Sequence, residues 1–286
     1  MAVRRGRDIT RYRYWSERQV RALELDNGIR LDRSWRVTAV RTPESAFGVP
    51  LPTLELAGSQ ARERSRRRVA DRLTAAARRQ TAVTYQEPHP VLFATGLGEV
   101  AFSAFTDGPA RDKGVVLHTR TRSAAGQRVD LCLFGSLDNT LDFRRGEALE
   151  GSSSSAWYAV AELLQSRGLR NTSQWDDHGL AVEALTIALN DRERADNPDH
   201  DEAPWTRPLA LGRASDAEWF AVIYSDITLD PARWHLDRTG LAGTQRIIVG
   251  APVWVRTAGP DALVRYAERR RSAPGLRSRW RRRPAG

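Results

Sequence analysis

The chain has one cysteine, Cys132, one methionine and one lysine, Lys113, in 286 residues. A lone cysteine excludes an internal disulfide and a cysteine-based metal cluster. Its place inside an apolar run marks it as a small core residue rather than a reactive thiol. No stretch approaches the roughly eighteen consecutive apolar residues of a membrane span. The opening Met1-Ala2-Val3-Arg4-Arg5-Gly6-Arg7-Asp8 has paired arginines with no apolar segment behind them. Neither a secretory nor a twin-arginine leader is expected, and the cytoplasm is the expected compartment, with no membrane partner. Paired carboxylates, metal-ligand spacing, a nucleophile triad and a P-loop are also missing, so no catalytic residue, metal site or cofactor is expected and the question of catalysis stays open.

Arginine takes the place of lysine throughout, as in proteins from GC-rich genomes, and the formal net charge is +10. The excess sits at the ends. Residues 269 to 283 hold eight arginines and no acid, residues 1 to 13 carry +4, and the remainder is close to neutral at −2. The Pro, Gly and Arg content beyond Arg271 predicts a disordered basic tail over 272–286. There Arg277, Arg279, Trp280, Arg281, Arg282 and Arg283 are candidate nucleic-acid contacts, the indole stacking on an exposed base and the arginines meeting phosphates. Such binding is expected to be weak, salt-sensitive and indifferent to sequence.

Two apolar runs anchor the fold reading. Val129-Asp130-Leu131-Cys132-Leu133-Phe134-Gly135-Ser136 and Ile247-Ile248-Val249-Gly250-Ala251-Pro252 are short, continuous and bounded by Gly or Pro. That pattern predicts strands covered on both faces. Were they parallel neighbours, their glycines would expose backbone at one sheet edge, where α/β proteins tend to bind ligands. Gly135, Ser136, Asp138, Asn139 and Gly250 are accordingly the candidate ligand-binding edge. Ser136 lies in no G-x-S-x-G elbow, so a hydroxyl and backbone N–H donors are its expected contribution, not nucleophilic attack.

The remaining elements follow in order. Tyr12-Arg13-Tyr14-Trp15 reads as a strand, Ser16 with Gln19 as a capping box, and Asp26-Asn27-Gly28 as the stop of the helix between them. Trp35 to Arg41 reads as a strand and residues 42–52 as a loop. Residues 59–80 form a basic helix with a thin stripe of Ala61, Ser65, Val69, Leu73 and Ala77, either a solvated outer face or a surface for phosphates. Gly96-Leu97-Gly98-Glu99-Val100-Ala101 fits a dinucleotide fingerprint formally. With no room for a crossover helix, it is expected to be a hairpin turn between strands 91–95 and 100–105. Val115 to Arg122 predicts a strand with His118, Arg120 and Arg122 on one face, turning at residues 123–126 into the Cys132 strand. His118 reads as a surface residue without an identifiable partner. Helices are predicted after the serines at 152–155, from His178 to Asn190, and from Ser215 to about Asp226 with Ser215 and Glu218 as a capping box. Trp175-Asp176-Asp177-His178 reads as a helix start, its acids meeting the dipole. Asp191 to Glu202 reads as an acidic loop, and Gly259-Pro260 as the start of a last helix.

Together these predict one α+β domain over residues 9–271 with a mixed or mainly antiparallel central sheet flanked by helices. The motifs Tyr12 to Val20, Leu131 to Ser136 and Ile248 to Val255 resemble a family of proteins from GC-rich soil bacteria known as a domain of unknown function. The resemblance implies a compact intracellular α and β domain. It carries no activity, and Asn139 stands where that family often has a histidine. The expected function is a non-catalytic ligand-binding or interaction domain with an unidentified ligand or protein partner. The competing expectation is a nucleic-acid-associated protein using its basic ends and the helix at 59–80.

Overall fold

The computed structural model describes residues 10–29, 66–82, 92–105, 114–123, 125–141, 156–166, 177–195, 209–237, 239–259, 262 and 266. The predicted strand at 35–41, the loop at 42–52, the capping serines 152–155 and the tail lie outside the described residues. Contacts within the chain group into two compact units, residues 17–79 and residues 1–16 with 80–286.

The smaller unit holds α1 (Glu17–Asp26) and α2 (residues 66–76). α1 ends as its sequence predicts: Gly28 adopts φ +60°, and the Asn27 side chain donates to the Leu23 carbonyl at 3.0 Å. α2 buries Val69, Ala70 and Leu73, and the 3-10 turn that follows (Ala77–Gln80) buries Ala77. Val69, Leu73 and Ala77 belong to the expected stripe, Ala61 and Ser65 lie outside the described residues, and Arg67, Arg68, Arg72 and Arg78 face outward.

Among the described residues the larger unit has seven strands, β1 (Tyr12–Trp15), β2 (Thr81–Ala82), β3 (Phe93–Phe105), β4 (Gly114–Arg122), β5 (Arg128–Ser136), β6 (Leu209–Thr228) and β7 (Arg246–Thr257). β3, β4 and β5 form an antiparallel meander, β5 pairs parallel with β7, and β6 pairs antiparallel with both β7 and β3. The ring β3-β4-β5-β7-β6-β3 closes into a five-stranded barrel, with β1 added beside β7 and β2 beside β3. The α and β content and mainly antiparallel pairing follow the sequence reading, but the central sheet is a closed barrel rather than an open sheet.

The closure depends on two segments whose sequence signals mislead. Ser215 to Asp226 lies in β6 and is no helix. Glu218, which would complete a capping box, instead pairs across the strands with Arg256, whose Nε donates to Oε2 at 2.9 Å. The aromatic and β-branched content of Trp219, Phe220, Val222 and Ile223 suits a strand, one buried on both faces from Ala217 to Ala221, and an apolar run alone does not separate that case from a buried helix. The second segment is Gly96 to Gly98, which is no hairpin turn but the middle of one 13-residue strand. Gly96 lies under the Trp219 indole, where an added Cβ would come within 2.4 Å of the ring. Gly98, at φ +143°, sits at a register shift between Gly98 and Val100. A bulge of this kind bends a strand and increases its twist, as barrel closure requires.

β5 shows why its run is almost continuously apolar. Val129, Leu131 and Leu133 point into the barrel beside Val115, Leu117 and Trp219. Cys132 and Phe134 point outward, under α3 (Ala156–Ser166) and α4 (Asp177–Ala195), whose Val160, Leu164, Leu180 and Leu185 complete a second core. α4 runs five residues beyond the predicted Asn190, through Asp191 to Ala195, part of the segment read as an acidic loop. Among the described residues no helix is long and apolar enough to cross a membrane.

Cys132 has no exposed surface, and burial pushes its thiol pKa well up. A thiol reagent added to the native protein is therefore expected to react only on the timescale of unfolding, and fully within minutes in denaturant. Labelling in the native state at the denatured rate would contradict the two-sided cover of β5.

Candidate functional site

The outer face of β3, β4, β5 and β6 carries a cluster of charged side chains. Cross-strand register aligns Arg213 on β6 with Ala101 on β3, Ala101 with His118 on β4, and His118 with Cys132 on β5. In the next row Arg120 opposes Asp130. Asp130 and Arg128 are thus the charged members of the outward-facing set on β5, at the edge of the surface that α3 and α4 cover.

Asp130 is completely buried and its two oxygens are fully engaged. Oδ1 accepts from His118 Nε2 at 2.7 Å, from Arg128 Nη2 at 3.2 Å and from Arg120 Nε at 3.4 Å. Oδ2 accepts from Arg128 Nε and from the Thr244 hydroxyl, each at 2.7 Å. Burial by itself would raise the pKa of this carboxyl. The hydrogen bonds from His118, Arg128 and Thr244 outweigh it and hold the group far below the usual carboxylate range. Arg128 also donates to the carbonyls of Gly240, at 2.7 Å, and Ala242. The carboxylate and its guanidinium therefore tie the connection between β6 and β7 down onto β5.

Beside this strut lies a polar cavity of about 380 Å³. Glu99 of β3, His118, Thr119 and Arg120 of β4, Arg213 of β6, Leu189 of α4 and Gly240 line it. Three charged heads on its wall are half-exposed, Arg120 at 51%, Arg213 at 52% and Glu99 at 48%. Each is held only by long contacts. Arg120 reaches Asp130 and the Gly240 carbonyl at 3.4 Å, and Arg213 reaches Glu99 at 3.7 Å. The Thr119 hydroxyl is already committed, donating to the Glu99 carbonyl at 2.8 Å.

The candidate ligand-binding edge falls elsewhere, and the tail candidates lie outside the described residues. β5 and β7 are parallel neighbours, as the two apolar runs imply, with Leu133 opposite Gly250. Their glycines nevertheless present no open edge. Gly250 lies mid-strand, where a Cβ would come within 2.1 Å of the Val222 carbonyl oxygen, and Gly135 is covered by the Tyr14 ring. Ser136 caps a short 3-10 turn, its Oγ accepting from the Asp138 N–H at 3.4 Å, and Asn139 donates to the Tyr14 hydroxyl at 3.2 Å. Burial pushes the Tyr14 phenol pKa up, despite that bond. Arg277, Arg279, Trp280, Arg281, Arg282 and Arg283 lie outside the described residues. His178, in the first turn of α4, lies 3.3 Å from the Ser225 hydroxyl, and no group of three metal-capable side chains occurs among the described residues.

His118 is where the sequence reading needs correcting most. It is buried and bonded to Asp130, not an unpartnered surface residue. The signal was present. A hairpin turning at residues 123–126 sets Arg120 opposite Asp130 and His118 diagonal to it, within reach of a cross-strand contact. A carboxylate in an otherwise apolar run needs such partners, because a charge is almost never fully buried unpaired.

Comparison with protein-family models, with curated proteins and with solved structures finds no match.

Proposed function

We propose that this chain is a non-catalytic ligand-binding domain whose site is the cavity on the outer face of the barrel. The observation that carries the reading is the contrast between two arginines on adjacent strands. Arg128 compensates Asp130 at 2.7 Å together with His118 and Thr244, which leaves Arg120 a half-exposed cation held at 3.4 Å and turned toward the cavity. A guanidinium in that position is a ready partner for an anionic group. Architecture adds support by analogy. Five-stranded Greek-key barrels of the oligonucleotide- and oligosaccharide-binding type use the face of their second and third strands and the loop between the fourth and fifth. The cavity here includes β4, the second strand of this barrel, and Gly240 of the connection between its fourth and fifth strands, together with β3, β6 and α4. Fold alone does not assign function, so the weight rests on the side chains. Of the polar groups on the cavity wall, the Thr119 hydroxyl donates to a backbone carbonyl and the His118 imidazole Nε2 is engaged by Asp130.

Ligand-dependent stabilisation tests this. At a hundredfold excess over Kd, a bound ligand raises the unfolding free energy by about 2.7 kcal/mol, a shift of several degrees in Tm. Small carboxylates and phosphates are expected to include at least one that does so for the native protein and not for Arg120→Gln. The variant itself should lose less than about 1 kcal/mol, since the arginine is half-exposed and screened. Stabilisation that persists in Arg120→Gln would move the site away from this cavity.

A further inference from the structure

We propose that the cavity selects a small molecule carrying two anionic groups and one ammonium group, the pattern of a dicarboxylic amino acid. The inference rests on the ligand-binding reading above and narrows its chemistry. The cavity wall presents two guanidinium heads, Arg120 and Arg213, and one carboxylate, Glu99. Asp130 adds no free charge, because Arg128, His118 and Thr244 already satisfy it. The surface that a ligand meets is therefore two positive and one negative.

Position gives the three heads a common target. Val100 and Thr119 are paired across β3 and β4, and Glu99 and Arg120 are the next residues along each strand, on the outer face. Arg213 approaches from the other side of β3, its Nη1 lying 3.7 Å from Glu99 Oε1. The acid thus lies between two arginines, at a bulge that Gly98 makes possible with φ +143°. Bulges re-aim side chains in this way.

Charge then discriminates among ligands. A plain dianion brings its second group against Glu99, and a plain cation meets two guanidinium groups, so each juxtaposes like charges. A molecule with two carboxylates and one ammonium pairs with every head, exchanging the loose 3.7 Å contact for three charge-assisted bonds. Leu189 adds an apolar wall suited to a short methylene stem. The cavity, at about 380 Å³, has room for a molecule of that size with water beside it.

Three compounds of matched skeleton test the inference by calorimetry on the full chain. L-glutamate carries all three groups, glutarate lacks the ammonium, and 4-aminobutyrate lacks one carboxylate. L-glutamate is expected to bind at least tenfold tighter than either of the others. Glu99→Gln should remove the advantage over glutarate while leaving the unfolding midpoint within a few degrees. Glutarate binding as tightly as glutamate, or a glutamate advantage that survives Glu99→Gln, would overturn the selectivity and leave the ligand-binding reading standing. If none of the three binds at millimolar concentration, the selectivity proposal falls; the ligand-binding reading falls with it only if the wider anion panel and Arg120→Gln also show no effect.

Discussion

Asp130→Asn is expected to lower the unfolding free energy by about 3–5 kcal/mol, the usual cost of removing one partner from a buried ion pair. The carboxylate joins His118 and Arg120 on β4, Arg128 on β5 and Thr244 before β7. An amide keeps the shape but loses the charge, leaving the Arg128 guanidinium, 16% exposed, without a counter-ion. The pH dependence follows in sign from the depressed carboxyl pKa. Its folded-state value lies below the unfolded value of about 3.9, so its contribution is full well above that pH. The contribution disappears as the pH falls from about 5 toward the strongly acid folded-state value. Urea unfolding of the native protein should therefore weaken steeply below about pH 5, and Asp130→Asn should show a shallower decline over the same range. A loss under about 1 kcal/mol at neutral pH, with the acid decline unchanged, would show that water replaces the carboxylate and that the network does not hold the β6–β7 connection.

Gly250→Ala is expected to cost about 3 kcal/mol or more, at the upper end of overpacking penalties. An added Cβ would sit 2.1 Å from the Val222 carbonyl oxygen and 3.3 Å from the Ile223 Cα, both backbone atoms that no rotamer change can move aside. Gly250 pairs with Leu133 on one side and Ile223 on the other, beside the register shift between Ile223 and Ser225. The close approach of β6 and β7 that completes the barrel is therefore what excludes a side chain. Gly98→Ala provides the contrast. Nothing lies within 4 Å of its added Cβ, so its penalty comes from backbone conformation alone, about 1–3 kcal/mol. Equal midpoints for Gly250→Ala and the native protein in denaturant would mean that the β6–β7 approach is looser than the geometry describes.

Local pattern determined much of this protein. Tyr12 to Trp15, the helix stopped by Asn27-Gly28, the β4–β5 hairpin and the doubly covered β5 and β7 are where periodicity and turn chemistry place them. These features depend on neighbours a few residues apart, which a sequence displays directly. Tertiary structure decided what depends on distant partners. Ser215 to Asp226 has a capping box and an apolar run that suit a helix, but the open edges of β3 and β7 both need a strand, and Glu218 has Arg256 to meet. Gly96 and Gly98 look like a turn until the Trp219 indole covers one and the bulge takes the other. The candidate site followed the same division. Gly135 and Gly250 were legible as special, but only packing shows that Tyr14 and the Val222 carbonyl occupy the space beside them. His118, Arg120 and Asp130 were legible as polar residues on neighbouring strands. Their meeting with Glu99, Arg213 and Gly240 required the barrel to close, since that closure is what brings β6 to the far side of β3 and the β6–β7 connection over β5.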